Sequence, residues 1–178
     1  DWFEFKEDVD VNQAFYHCIV KPNAQGSTFG LSYVNEVESL EEAINHSLAF
    51  DSNVLIEEYI RGREITVGVL NNEVLPIVEI LPKHKLYDYE CKYTPGMTNY
   101  KCPTELDNGL KEKINIDTIK IFELLGCRGY GRVDYIIDDN NNHYFLELNT
   151  LPGMTSTSLL PIAAESSGIS FDDLIKKI

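Results

Sequence analysis

Long apolar runs are missing from this chain. No stretch approaches the roughly 20 residues that a membrane-spanning helix requires, so a membrane partner is not expected. Positive charge is also short: 15 Lys and Arg stand against 29 Asp and Glu, a formal net charge of −14. A surface of that sign repels nucleic acid and anionic lipid alike. A phosphate-bearing ligand then has to be held by local cations, by backbone N–H groups, or through a divalent metal bridged to carboxylates. Cysteine is sparse. Cys18, Cys91, Cys102 and Cys127 form no CxxC pair, a usage that fits reduced thiols in a cytoplasmic protein rather than a disulfide framework or zinc site. Neither a P-loop sequence nor a glycine-rich dinucleotide fingerprint occurs, so neither of those phosphate-binding devices is expected. The chain opens at Asp1 with neither an initiator methionine nor a signal-peptide pattern, and a longer parent polypeptide is the expectation.

What is present is an ordinary folding composition. The 178 residues are 43% hydrophobic, 11% aromatic and 25% charged, enough for one core or two small lobes and unlike a disordered segment. His17-Cys18-Ile19-Val20-Lys21 reads as a strand stopped by Pro22-Asn23, followed by a glycine-bounded loop, Gly26-Ser27-Thr28-Phe29-Gly30, and a returning strand over Leu31–Val34. Ser39 with Glu42 is a capping-box pattern opening a helix through Leu48. Strands are expected over 54–60 and 64–70, with Asn71-Asn72 as a hairpin turn into a strand over 74–80. Residues 83–103 lack periodicity and have the length of a functional loop. A helix over 114–125 precedes a hairpin of 131–137 and 144–149, then a Thr/Ser-rich loop, a helix from about Leu159, and a last helix capped by Ser170.

The last hairpin carries the strongest chemical pattern. Glu147 and Asn149 are two apart and share a strand face, and Asp134 on the neighbouring strand brings a third oxygen ligand, with Arg132 two residues away on the same face. Three hard oxygen donors suit magnesium with nucleotide phosphates; the plain alternative is the solvated outer face of a hairpin. Leu146 and Leu148 are expected on the opposite, core-facing side, and the hairpin runs into Thr150–Ser158, dense in hydroxyls and backbone donors. Lys21 with the Gly26–Gly30 loop is suited to phosphate oxygens, or is only a loop between strands. Glu57, Glu58 and Glu64 offer acceptors for a ribose or an exocyclic amine, or are edge-strand surface charge. Tyr87–Tyr93 supplies aromatics and Lys92 either to a closing lid or to a solvent loop.

In their order, IVKPNAQGSTFG, IEEYIRGREITV, YDYECKY, LGCRGYGRVDY and FLELNTLPGMTSTSLLP resemble the D-alanine–D-alanine ligase family of ATP-grasp enzymes, over about residues 17–162. The resemblance implies an α+β ATP-grasp fold. Residues 1–80 are the lobe with glycine loop and adenine hinge. Residues 81–178 are the lobe with the lid (83–103) and the metal and substrate site, and antiparallel sheets of the two lobes clamp the nucleotide. It implies ATP as substrate with two Mg2+ or Mn2+ ions, and ligation of two D-alanines through an acyl phosphate for peptidoglycan precursors in the cytoplasm. Lys21, Gly26 and Ser27 are placed on the phosphates. Glu57, Tyr59, Ile60 and Glu64 are placed on adenine and ribose. Lys92 and Tyr93 are implied as lid residues, and Tyr93 joins a network with Ser27. Asp134, Glu147 and Asn149 match the metal ligands. Arg132 and the Gly153 N–H resemble the donors on the reacting carboxyl, and Ser158 and Leu159 the site of the second D-alanine. The family's N-terminal substrate domain has no counterpart here, so the chain alone is expected to bind nucleotide with little ligation, and a full-length member is expected to be a homodimer. The alternatives are a D-alanine–D-lactate or D-serine ligase, another ATP-grasp carboxylate–amine ligase, or a nucleotide-binding module without catalysis.

Overall fold

The computed structural model describes residues 2–5, 17–84, 91, 92, 94 and 96–178. Their contacts group into two compact units, one of residues 1–60 with 84–97, the other of 61–83 with 98–178.

In the first unit β1 (Trp2–Phe5), β2 (Cys18–Pro22), β3 (Ser32–Val34) and β4 (Val54–Glu58) form an antiparallel sheet in the order β1-β4-β2-β3. Strand alternation gives the sheet two chemistries. Cys18, Val20, Val54 and Ile56 are buried with Leu40 and Ala43 of α1 (Leu40–Leu48). Ile19, Lys21, Leu55 and Glu57 lie on the opposite face, half-buried. The start of α1 differs from the capping-box expectation. Ser39 is the residue before the helix, yet its hydroxyl donates to the Glu36 carbonyl at 2.9 Å and caps nothing, because a 3-10 turn over Val37–Ser39 already leads the chain in.

The second unit holds β5 (Gly62–Leu70), β6 (Glu73–Val74), β7 (Val78–Pro82), β8 (Thr98–Lys101), β9 (Tyr130–Asp138) and β10 (His143–Asn149). Its sheet runs β10-β9-β5-β7-β8, antiparallel throughout, with β6 on β5. The division expected along the sequence, 1–80 and 81–178, separates β5 from β9; pairing of Gly62–Leu70 with Asp138–Tyr130 keeps them together. Asn71 and Asn72 both take positive φ, 51° and 65°, the geometry a two-residue hairpin needs. The expected long return strand is instead the short β6 and β7, separated by residues 75–77, and the stretch of 83–103 ends in β8.

α2 (Asn108–Leu124) begins earlier than the apolar period indicates, because Asp107 accepts from the Gly109 and Leu110 N–H groups and nucleates its first turn. Leu110 and Ile114 pack on Ile65, Val67, Val133, Tyr135 and Ile137, each buried aliphatic contributing about 1.5–3 kcal/mol. The Tyr135 hydroxyl meets Thr118 Oγ1 at 2.9 Å, and burial pushes the phenol pKa up to about 12. α3 (Leu159–Ser166) covers part of the other face of the same sheet, where Gly68 leaves room for Leu160: a Cβ at Gly68 would lie 2.6 Å from the Leu160 methyl. α4 (Phe171–Lys177) ends the chain, its Ser170 hydroxyl accepting from the Asp173 N–H as expected. No helix among the described residues is long and apolar enough to cross a membrane.

Gly62 opens β5 against the Ile137 carbonyl, where a Cβ would collide with backbone rather than with a movable side chain. Gly62→Ala is expected to destabilise by at least about 1 kcal/mol, read as a lowered urea midpoint; an unchanged midpoint would show that the strand end yields freely.

Candidate functional site

Three strands of the second unit build the acidic constellation. In β5, Ile65 and Val67 point to α2, so Glu64, Thr66 and Gly68 point the other way. Pairing then sets two rows across the sheet: Thr66, Asp134 and Glu147 in one, Gly68, Arg132 and Asn149 in the next. A β-bulge makes this possible. Phe145 pairs with Tyr135 but Glu147 pairs with Asp134, so Leu146 has no counterpart in β9. His143 and Phe145 therefore lie on the Tyr135 side, and beyond the bulge Leu148 takes that side while Glu147 and Asn149 turn to Asp134. Of the two leucines expected on the core side, Leu148 packs there and Leu146 is the bulge residue.

The cluster is closely bonded. Arg132 donates from Nε and Nη2 to the two Asp134 oxygens at 2.9 and 2.8 Å. The side chains are 17% and 9% exposed, so this pair is largely out of water. Thr66, at 1% exposure, donates its hydroxyl to Asp134 Oδ1. Asn149 Nδ2 donates to Asp134 Oδ2 at 3.2 Å and to Glu147 Oε1 at 3.1 Å. Among the described residues no three His, Cys, Asp or Glu side chains cluster; the oxygen set is two carboxylates and one amide. The amide NH2 occupies the gap between the two carboxylates, where positive charge is most stabilised. A hard divalent cation satisfies the same oxygens, with the amide turned to offer Oδ1. The donor chemistry fits magnesium or manganese.

After β10 the chain enters the hydroxyl-rich loop. Ser158 precedes α3 without capping it; its Oγ accepts from the Thr155 N–H at 3.0 Å and meets Thr155 Oγ1 at 2.8 Å. Gly153 faces that hydroxyl so closely that a Cβ would lie 3.0 Å from it, and Leu159 is buried. Gly153 and Ser158 are thus brought together. Glu64 lies on the Thr66 face, one row beyond Asp134.

In the first unit Lys21 Nζ meets Glu57 Oε2 at 2.6 Å, both side chains near 28–29% exposure. Their register explains it: Lys21 pairs with Leu55 and Ile19 with Glu57, so lysine and acid are diagonal neighbours on one face. Tyr59 follows, half-buried, its ring 4.6 Å from Tyr33, and then Ile60. In the loop, Ser27 and Thr28 both take positive φ, 57° and 60°, a conformation that costs non-glycine residues energy, and the Phe29 N–H donates back to the Gly26 carbonyl at 3.3 Å. Lys92 is half-buried beside buried Cys91; Tyr93, like residues 85–90, falls outside the described residues.

Sequence reasoning misses Thr66 and the Arg63–Glu79 pair. Arg63 donates to both Glu79 oxygens at 2.7 Å and to Thr104 Oγ1 at 2.9 Å. The period of two from Glu64 was the signal for Thr66; the Arg63 partners lie too far along the chain for any local pattern.

A family profile described as D-ala D-ala ligase C-terminus matches residues 3–178. The D-alanine–D-alanine ligase of Desulforamulus reducens is 48% identical over 164 residues, covering 90% of this chain and 52% of that protein. A crystal structure of the D-alanine–D-alanine ligase of Bacillus anthracis, complexed with ATP, superposes with a TM-score of 0.84 at 33% identity, over 100% of this chain and 58% of that one. The VanG D-Ala:D-Ser ligase of Enterococcus faecalis gives 0.83 at 30% identity, over 99% and 55%. The chain spans about half the length of the curated relatives it matches.

Proposed function

The chain belongs to the D-alanine–D-alanine ligase family and has its ATP-grasp fold, and from that premise we propose that it carries the ATP-binding and catalytic part of an enzyme joining two D-alanines for peptidoglycan precursors. The observation that carries the reading is the pair of rows placing Asp134, Glu147, Asn149 and Arg132 on one sheet face. Lys21 and the Gly26–Gly30 loop, Ser27 included, hold the phosphates. Glu57 accepts from the adenine amine beside Tyr59 and Ile60, and Glu64 accepts from ribose hydroxyls. Asp134, Glu147 and Asn149 hold magnesium or manganese, which when bound neutralises phosphate charge and orients the γ-phosphoryl group.

The first D-alanine's carboxylate takes the γ-phosphoryl, breaking its bond to ADP and forming an acyl phosphate. The second D-alanine's amine then attacks that carbonyl, losing a proton and expelling inorganic phosphate. Arg132 and the Gly153 N–H steady the oxyanion. Ser158 and Leu159 seat the second substrate's carboxylate end. Lys92 and Tyr93 shield the acyl phosphate from water. The setting is cytoplasmic, and the whole enzyme is a homodimer. D-Alanine is favoured as acceptor because curated relatives 41–48% identical over 90% or more of this chain are D-alanine–D-alanine ligases.

Calorimetry tests the reading. The chain is expected to bind ATP with magnesium at a dissociation constant between about 1 μM and 1 mM, and Lys21→Ala to weaken it by about tenfold or more. Fused behind the N-terminal part of the Bacillus anthracis relative, it should form D-alanyl-D-alanine in preference to the D-serine or D-lactate product. Absence of magnesium-dependent ATP binding would sink the proposal, and a preference for D-lactate would overturn the acceptor.

A further inference from the structure

The loop between β2 and β3 is stitched to the exit of α1. Ala24 N–H donates to Asp51 Oδ2 at 2.7 Å, and Asn53 N–H donates to Asp51 Oδ1 at 3.1 Å, so one carboxylate joins the loop's first arm to the turn after the helix. Asn23 N–H reaches the Asn53 carbonyl at 3.0 Å, and Gln25 Nε2 the Phe50 carbonyl at 3.1 Å. On the far arm the buried Ser47 hydroxyl donates to the Gly30 carbonyl at 2.6 Å, and the Phe29 ring stacks on Phe50. Gly30, at φ 70°, sits so close that a Cβ would lie 2.7 Å from the Phe50 ring. Between these arms Ser27 and Thr28 are held in left-handed conformations that a released loop would leave. The N–H groups of Asn53 and Ala24 hold the Asp51 carboxyl below the usual carboxylate range, against a smaller effect of burial.

We propose that Asp51 is a positioning residue for phosphate binding: by tethering Ala24 to the α1 exit it keeps the Gly26–Gly30 loop in the shape that receives a nucleotide's phosphates. The proposal rests on the nucleotide reading above. Asp51 touches no substrate. It raises the fraction of chains whose loop is ready to bind, and apparent affinity scales with that fraction.

Asp51→Asn separates the tether from the local turn. The remaining carbonyl oxygen keeps the Asn53 bond, while an NH2 group replaces the oxygen facing the Ala24 N–H. On this 178-residue chain, ATP with magnesium and adenosine are titrated separately by ligand-observed NMR, and amide exchange is followed along residues 23–31. The expected result is about tenfold weaker ATP binding, unchanged adenosine binding, and faster exchange confined to the loop. ATP binding equal to wild type overturns the assignment. A parallel loss for ATP and adenosine also overturns it, since that marks a general structural role. A wild-type chain without ATP affinity overturns the nucleotide reading, and the assignment falls with it.

Discussion

Asp134→Ala is expected to destabilise the chain by about 2–3 kcal/mol, because it removes the acceptor of two charge-assisted bonds from the half-buried Arg132. Arg132 is 17% exposed at the side chain and spends its Nε and Nη2 on that carboxylate; Thr66 and Asn149 lose an acceptor at the same stroke. The pair itself is a weaker contributor, since two charges removed from water recover little net energy by meeting. The double variant Arg132→Met with Asp134→Leu should therefore regain much of the loss, while losing magnesium-dependent ATP binding. Urea unfolding of wild type and the two variants checks this, with unchanged slopes to show that the midpoints report stability. Equal destabilisation by the single and double variants would mean that the ion pair itself, not the unmatched bonds of one partner, dominates.

Glu79→Ala is expected to cost about 2–3 kcal/mol near neutral pH, discounted for the 42% exposure of its Arg63 partner. Glu79 is 7% exposed and accepts two bonds from Arg63 and one from Thr104. The Arg63 hydrogen bond comes first among the causes that hold its carboxyl below the usual range, with burial opposing and Thr104 assisting. A depressed folded pKa means that the unfolded chain takes up the proton more readily. The stabilisation is therefore complete above the unfolded value, about 4.3, and is lost as pH falls through the lower folded value. Wild type should lose urea resistance below about pH 4.3 more steeply than Glu79→Ala; parallel acid profiles would exclude Glu79 as the group responsible.

How much of this is legible in the sequence depends on the range over which each cause acts. Glu147 and Asn149 share a face because a strand repeats every two residues, and Asn71-Asn72 turns because both tolerate positive φ. Those causes are local. Asp107 as the start of α2 is local too, but Asn108-Gly109 disguises it as a turn. Ser39 has the composition of a cap and lacks the geometry, since the preceding 3-10 turn places its hydroxyl elsewhere. Asp51 to Ala24, Arg63 to Glu79 and Thr66 to Asp134 are long-range pairs, set by which strands and turns become neighbours. Composition says nothing of them. The strand β8 hides in an aperiodic stretch because its pairing with β7, not its own pattern, makes it a strand.

The unmatched Leu146 gives the hairpin a counting property. One residue without a counterpart decides whether everything after it faces α2 or faces Asp134, so the oxygen cluster depends on parity as much as on chemical identity. Were Leu146 paired in regular alternation instead of bulged out, every acid would remain and yet Glu147 and Asn149 would face the wrong side of the sheet. In comparing distant sequences of this kind, the spacing between β9 and the Glu-Leu-Asn tripeptide carries information that the identities of the letters alone do not.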